Sequence, residues 1–268
     1  MKKLLWSIIP LLSLFIFSCT GNTDTNPEGA TEGTAKTVPV MSYSIVSVLP
    51  HDTSYYTEGL EFYHNTLLES TGNYGTSKLI QTDLKTGKPV KEIKIDPKQF
   101  GEGISVLHDT LFQMTYREHV VNVYSAKDFR KIKELPLNTE GWGMTNDGKS
   151  LIVSDGSSNL YFYEPSTFRL LHTQGVTENG NPLVNINELE YVDGFIYANQ
   201  WQYDYIYKIN PNTGEVVAKM DLSDLANKVK NQDNHTDVLN GIAYNPETRK
   251  FYITGKYWPQ IYEIQFSH

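Results

Sequence analysis

The stretch Phe100-Gly101-Glu102-Gly103-Ile104 places a carboxylate between two glycines, directly ahead of an apolar segment. A carboxyl group shielded from water holds its proton to higher pH, because burial disfavours the charged form. Such a group can take a proton from a reacting amine and return it to a leaving group near neutral pH. Near-copies of the same core recur as Glu58-Gly59-Leu60, Trp142-Gly143-Met144, Asn187-Glu188-Leu189 and Asn240-Gly241-Ile242. Their leading residues are separated by 44, 40, 45 and 53 positions, by subtraction. The frame repeats, while its first residue changes through Glu, Glu, Trp, Asn and Asn. A site assembled around a pseudo-symmetric axis has that pattern.

The elements that position these residues follow the same period. A spacing of roughly 40–50 residues built from short strands marks a propeller or a repeat array. After each core comes a second apolar strand: Thr66–Gly72, Thr110–Tyr116, Ser150–Gly156, Phe195–Trp201 and Lys250–Lys256. Turn residues precede them: His64-Asn65, His108-Asp109, Asp147-Gly148, Asp193-Gly194 and Asn245-Pro246. Third strands follow at Lys78–Leu84, Val120–Ala126, Leu160–Ser166, Ile206–Asn212 and Gln260–Phe266. Fourth strands follow in the first four units, at Val90–Asp96, Lys131–Leu137, Leu170–Val176 and Val216–Leu222. The fifth unit lacks one, and Tyr43–Leu49 alternates polar and apolar like the others. Its addition to the last unit closes a ring and hides sheet edges. The fold expected is all-β: a five-bladed β-propeller of four antiparallel strands per blade. Between units four and five, Ser223–Val229 reads as a short capped helix overhanging one face.

In a propeller the first residues of each inner strand lie at the channel mouth. Antiparallel geometry brings the ends of the second strands to the same face. Glu58, Glu102, Trp142, Asn187 and Asn240 therefore meet Gly72, Tyr116, Gly156, Trp201 and Lys256. Trp and Tyr supply flat apolar walls with polar handles. Asn and Lys bind an oxyanion or polarise a carbonyl. Each residue also has a purely structural reading. Glu58 and Glu102 serve as carboxylates for loop N–H groups, Trp142 and Trp201 as packing between blades, Lys256 as a counter-ion, and Asn187 and Asn240 as turn residues.

Composition narrows the partners. Net charge is −8 with pI near 5.4, which argues against nucleic acid. A single cysteine rules out an intrachain disulfide. The seven histidines form no zinc-binding pair at metalloprotease spacing, and no metal site is read from the residues. Met1-Lys2-Lys3, the apolar run Leu4–Phe17 and then Ser18-Cys19 have the shape of a secretory signal. With the sole cysteine at its end, residues 1–19 resemble a bacterial lipoprotein signal with Cys19 as the lipidated residue. Residues 20–40 read as a disordered tether, and 41–268 as the catalytic propeller. The expected location is the bacterial cell envelope, on the periplasmic face or the cell surface. There the lipid is the only membrane contact.

Several stretches together resemble one family. They are Tyr56-Thr57-Glu58-Gly59-Leu60, Glu69-Ser70-Thr71-Gly72, Gly101-Glu102-Gly103, Gly141-Trp142-Gly143-Met144, Ser154-Asp155-Gly156-Ser157, Asn187-Glu188-Leu189-Glu190-Tyr191, Ala198-Asn199-Gln200-Trp201 and Thr254-Gly255-Lys256-Tyr257-Trp258-Pro259. The sequence is similar over about His51 to Ile264 to the plant and bacterial glutaminyl cyclotransferases, which are five-bladed propellers. The resemblance implies conversion of N-terminal glutamine to pyroglutamate with release of ammonia, by intramolecular acyl transfer. It implies catalytic roles for Glu102, Lys256 and Asn187, and substrate contacts from Glu58, Tyr56, Trp142, Trp201, Tyr116 and Asn240. Position 58 is usually Gln in that family and is Glu here. No cofactor is implied, although a structural Ca or Zn ion in the channel is left open. The partners are peptides and proteins with N-terminal Gln, and the chain is expected to act as a monomer. Two other readings stay open: a non-catalytic surface lipoprotein that binds peptide termini or small ligands, and a lactonase-type or sugar-binding propeller with a channel metal.

Overall fold

The computed structural model describes residues 37–267. The expected signal, Cys19 and most of the tether lie outside them. Among the described residues β1 (Ser44–Pro50) is the first strand, and the strands form five four-stranded sheets and one two-stranded hairpin. Blade one is β2 (Thr57–Tyr63), β3 (Thr66–Thr71), β4 (Lys78–Asp83) and β5 (Lys88–Lys94). Blade two is β6 (Gly101–Leu107), β7 (Thr110–Thr115), β8 (Val120–Ser125) and β9 (Lys131–Pro136). Blade three is β10 (Met144–Asn146), β11 (Leu151–Ser154), β12 (Asn159–Glu164) and β13 (Arg169–Gly175). A small hairpin, β14 (Thr177–Glu178) and β15 (Asn181–Pro182), precedes blade four: β16 (Ile186–Val192), β17 (Phe195–Gln200), β18 (Tyr205–Ile209) and β19 (Val216–Asp221). Helix α1 (Ser223–Gln232) leads to β20 (Leu239–Asn245), β21 (Lys250–Gly255) and β22 (Gln260–Gln265). The last sheet runs β1-β22-β21-β20, so the first strand completes the fifth blade, with Ser44 opposite Gln265 and Pro50 opposite Gln260.

Local chemistry explains the repeated hairpins. His64-Asn65, His108-Asp109 and Asp193-Gly194 all take positive φ at both positions. Two-residue turns of that kind match the right-handed twist of the flanking strands. The core consists of five apolar layers, one between each pair of neighbouring blades. Second strands are buried almost throughout, whereas the outer strands β1, β5, β9 and β13 expose most of their residues. Burial on both faces needs a closed ring, because a terminal blade would leave one layer open to water.

Three sequence expectations are corrected. Helix α1 runs three residues past Val229, and no side chain caps it at Leu222. Its Leu225 and Val229 are buried in the layer between blades four and five, so it is a packed element and not an overhang. The tether also ends earlier than residue 40. Val38 packs on the layer between blades three and four. Lys219 N–H donates to the Pro39 carbonyl at 2.9 Å, and Met41 N–H donates to the Lys219 carbonyl at 2.7 Å. The free edge of β19 captures this segment. The β14–β15 hairpin was not expected, because its strands are two residues each.

The inner strands converge so closely that side chains are excluded. A Cβ on Gly143 would sit 2.0 Å from the Asn187 carbonyl, and one on Gly59 would sit 2.7 Å from the Ile104 nitrogen. Gly59, Gly103, Gly143 and Gly241 occupy one position of the repeat. In blade four that position is Glu188. Its fully buried carboxyl accepts N–H bonds from Leu60 of blade one at 3.2 Å and from Ile242 of blade five at 2.8 Å. One side chain thus ties three blades together. Glu188→Leu leaves both N–H groups buried without acceptors, at about 1–3 kcal/mol each. Denaturant titration should show a loss of about 2–6 kcal/mol. A loss within the ~0.5 kcal/mol typical of surface substitutions would mean that Glu188 does not tie the ring.

Candidate active site

Four of the five leading residues lie at irregularities of strand register. The shifts fall between Thr57 and Gly59, Gly101 and Ile104, Ile186 and Leu189, and Leu239 and Ile242. A bulge inserts a residue, bends the strand and re-aims a side chain. Glu58, Glu102, Asn187 and Asn240 occupy those insertions. Trp142 lies just ahead of β10, with its N–H donating to the Ser154 carbonyl at 3.1 Å.

A cavity of about 290 Å³ opens at this end of the ring. It is lined by Tyr56, Glu58, Phe100, Glu102, Tyr116, Trp142, Asn187, Trp201 and Lys256. Eight expected site residues are therefore brought together. Trp142 and Trp201 meet edge to face at 5.8 Å and belong to no interblade layer, whereas Trp258 is core. The Trp142 ring lies over Gly156, where a Cβ would come within 2.6 Å of it.

Asn240 is the exception. It is fully buried and does not line the cavity. Its Nδ2 donates to the Thr57 carbonyl at 2.9 Å and to Glu58 Oε2 at 3.2 Å. The seam between blades five and one draws it behind Glu58, which it holds in place. Phe100 was missed as a lining residue. Its ring stands 6.1 Å from Tyr56 and 5.8 Å from Tyr116. The signal was present, since Tyr56 and Phe100 both precede their acids by two positions.

The polar groups are deeply buried: Glu58 is 2% exposed, Asn187 3%, Lys256 4% and Glu102 5%. Lys256 Nζ lies 2.7 Å from Glu58 Oε1 and 4.3 Å from the centre of the Tyr56 ring. Burial alone would neutralise this lysine, but the Glu58 and Glu102 carboxyls outweigh it and raise its pKa. Burial pushes Glu102 well above the ordinary carboxyl range, and the Glu58 charge adds to the effect. The two carboxyls are close enough to act on each other. Burial pushes Glu58 up as well, but Lys256 opposes it. With the ammonium at its side, Glu58 is the stronger acid of the two, and Glu102 has the higher affinity for a proton. Asn187 Oδ1 is buried with no protein partner. His235 is exposed against Asp233 and takes no part in the cavity. Among the described residues no cluster of three or more His, Cys, Asp or Glu side chains is arranged to hold a metal ion.

This arrangement offers a proton-exchanging acid, a fixed ammonium and an unpartnered amide inside aromatic walls. A family model described as glutamine cyclotransferase matches residues 14–266. A glutaminyl-peptide cyclotransferase from Arabidopsis thaliana is 38% identical over 231 residues, covering 85% of this chain and 72% of that protein. The crystal structure of Myxococcus xanthus glutaminyl cyclase superposes with a TM-score of 0.81 at 35% identity, covering 85% of this chain and 98% of that one. The chain belongs to the glutamine cyclotransferase family.

Proposed function

We propose that this cavity closes the N-terminal glutaminyl residue of peptides and proteins into pyroglutamate and releases ammonia. The observation that carries the reading is Glu102, a buried acid beside the Glu58–Lys256 pair and facing two indoles. The non-catalytic alternative has no use for an acid built to hold a proton.

The substrate amine attacks the γ-carboxamide carbon of its own residue. Five-membered ring closure gives a high effective molarity once the side chain is folded back. Phe100, Tyr56 and the two indoles enforce that fold by filling the space around it. As the C–N bond forms, ionised Glu102 takes a proton from the amine. It then passes that proton to the departing –NH2, which leaves as NH3 while the lactam carbonyl re-forms. Lys256 Nζ has donors beyond the one given to Glu58 and faces the oxyanion. Asn187 Oδ1 accepts an N–H of the bound carboxamide. Glu58, fixed by Lys256 and Asn240, receives the amine end. Side chains of this chain carry every proton, so the reaction calls for no cofactor.

We further propose that Cys19 is lipidated, that the lipid alone holds the chain at the bacterial envelope, and that the chain acts there as a monomer. The apolar run Leu4–Phe17 ending at the sole cysteine supports this.

Three outcomes test these readings. Glu102→Gln should lower ammonia release by about 10²-fold or more, as expected for loss of a general acid–base group. Turnover within a few-fold of wild type would remove Glu102 from that role. Glu58→Gln takes a negative charge from beside Glu102 and leaves Lys256 to act on Glu102 alone. Both changes lower the Glu102 pKa. Activity needs ionised Glu102 and is lost as pH falls through that pKa, so the acid limb of kcat/KM should move to lower pH. A limb that stays put, or rises, contradicts the paired-acid account. Finally, Cys19→Ala in the full chain should move the protein from the membrane fraction to the soluble one, and retention in the membrane fraction would rule out the lipid anchor.

A further inference from the structure

We infer that the mouth of this cavity selects peptides with a cationic side chain directly after the N-terminal glutaminyl residue. The inference rests on the cyclisation reading above. A cavity of about 290 Å³ is at the small end of ligand pockets, which run from ~300 to 1,000 Å³. Asn187 Oδ1, buried and without a protein partner, marks its inner wall as the place where a substrate amide docks. With the first residue inside, the second side chain lies at the rim.

That rim is acidic. Glu118 accepts the N–H of Phe100 at 3.1 Å and the hydroxyl of Tyr74 at 2.8 Å. Glu140 lies 3.5 Å from Trp142 Nε1. Asp237 donates its backbone N–H to the Lys256 carbonyl at 2.9 Å and leaves its side chain exposed. Glu118 and Glu140 are close enough to act on Glu102, and Asp237 on Glu58. The cation beside them, Arg117, is engaged with Glu140 at 2.9 Å and stacked 4.4 Å from the centre of the Tyr116 ring. Inside, the Lys256 ammonium is answered by Glu58. A second-position Lys or Arg therefore meets three carboxylates and one engaged guanidinium, whereas a second-position Glu or Asp is repelled. A cleft lined by one sign of charge also concentrates the oppositely charged substrate.

The test is ammonia release by the full chain from three amidated tripeptides, Gln-Lys-Ala, Gln-Ala-Ala and Gln-Glu-Ala. It is run at about 0.01 M and about 1 M salt, between which the screening length falls from about 30 Å to about 3 Å. At low salt kcat/KM for the lysine peptide should exceed that for the glutamate peptide by about tenfold or more. The ratio should shrink at high salt, and shrink at low salt in Glu118→Gln and, separately, in Asp237→Asn. Because the readout is a ratio between peptides, a general loss of activity in either variant cancels. Equal kcat/KM for the two charged peptides at low salt, or a preference untouched by salt and by both substitutions, overturns the inference while cyclisation stands. Absence of ammonia from all three peptides overturns the cyclisation reading instead.

Discussion

The ring depends on how close five inner strands can come to one axis. Four glycines at one position of the repeat let backbone pack on backbone, and Glu188 takes the fifth place. A fifth glycine would leave the N–H groups of Leu60 and Ile242 facing an empty axis. A carboxyl there satisfies both, and does so across the seam where the chain's two ends meet. Burial holds Glu188 well above the ordinary carboxyl range, and the two N–H bonds offset part of that cost. A second clasp secures the same seam nearer the rim. His51 Nδ1 donates to the Trp258 carbonyl at 2.7 Å, His51 Nε2 faces Glu69 at 3.1 Å, and Thr57 donates to Glu69 at 2.7 Å. Ring closure therefore rests on β1 pairing with β22 at the outside, the His51–Glu69 clasp between, and Glu188 at the centre.

The same closeness makes the site. Four of the five inner strands gain a residue near their start, and at Glu58, Glu102 and Asn187 the resulting bulge turns a side chain toward the mouth. The frame fixes five positions while leaving their identity free, because the tight packing lies one residue further on, at the glycine. This separation lets Glu, Glu, Trp, Asn and Asn occupy equivalent places without disturbing the ring. It also explains the different fates of the two asparagines. Asn187 faces the cavity, whereas Asn240 sits at the closing seam, where Thr57 and Glu58 of the first blade claim its amide.

Much of this was legible because the repeat carries two independent periods, one of motifs and one of strands. The strand count with its missing member identifies Tyr43–Leu49 as the closing strand, and β1 (Ser44–Pro50) takes that place. The convergence of Glu58, Glu102, Trp142, Asn187, Trp201 and Lys256 then followed from strand direction. Side-chain partners did not follow. Glu188 was visible as a departure from glycine, but its acceptor role depends on N–H groups more than fifty residues away in either direction. Phe100 looked like an ordinary apolar neighbour of Gly101, although it shares its place in the repeat with Tyr56. The capture of Pro39 and Met41 by β19 is backbone pairing, to which composition is blind; a segment rich in Thr and Pro gives no periodic signal when only its amides are used.

The burial that tunes Glu102 also taxes the fold. Three ionisable groups, Glu58, Glu102 and Lys256, lie together almost out of water, and a desolvated ion pair seldom adds net stability. A Gln at position 58, as the resemblance leads one to expect, would remove one charge and leave Lys256 to Glu102. That exchange would hold Glu102 more firmly ionised, a weaker proton acceptor and a poorer match to a reacting amine. With Glu58 taking the lysine's hydrogen bond, burial and the like charge on Glu58 outweigh the pull of Lys256 and raise the affinity of Glu102 for a proton. The five apolar layers hold the strands that carry these charges in a closed ring. A strained set of charges can persist where the surrounding scaffold has no open edge through which to relax.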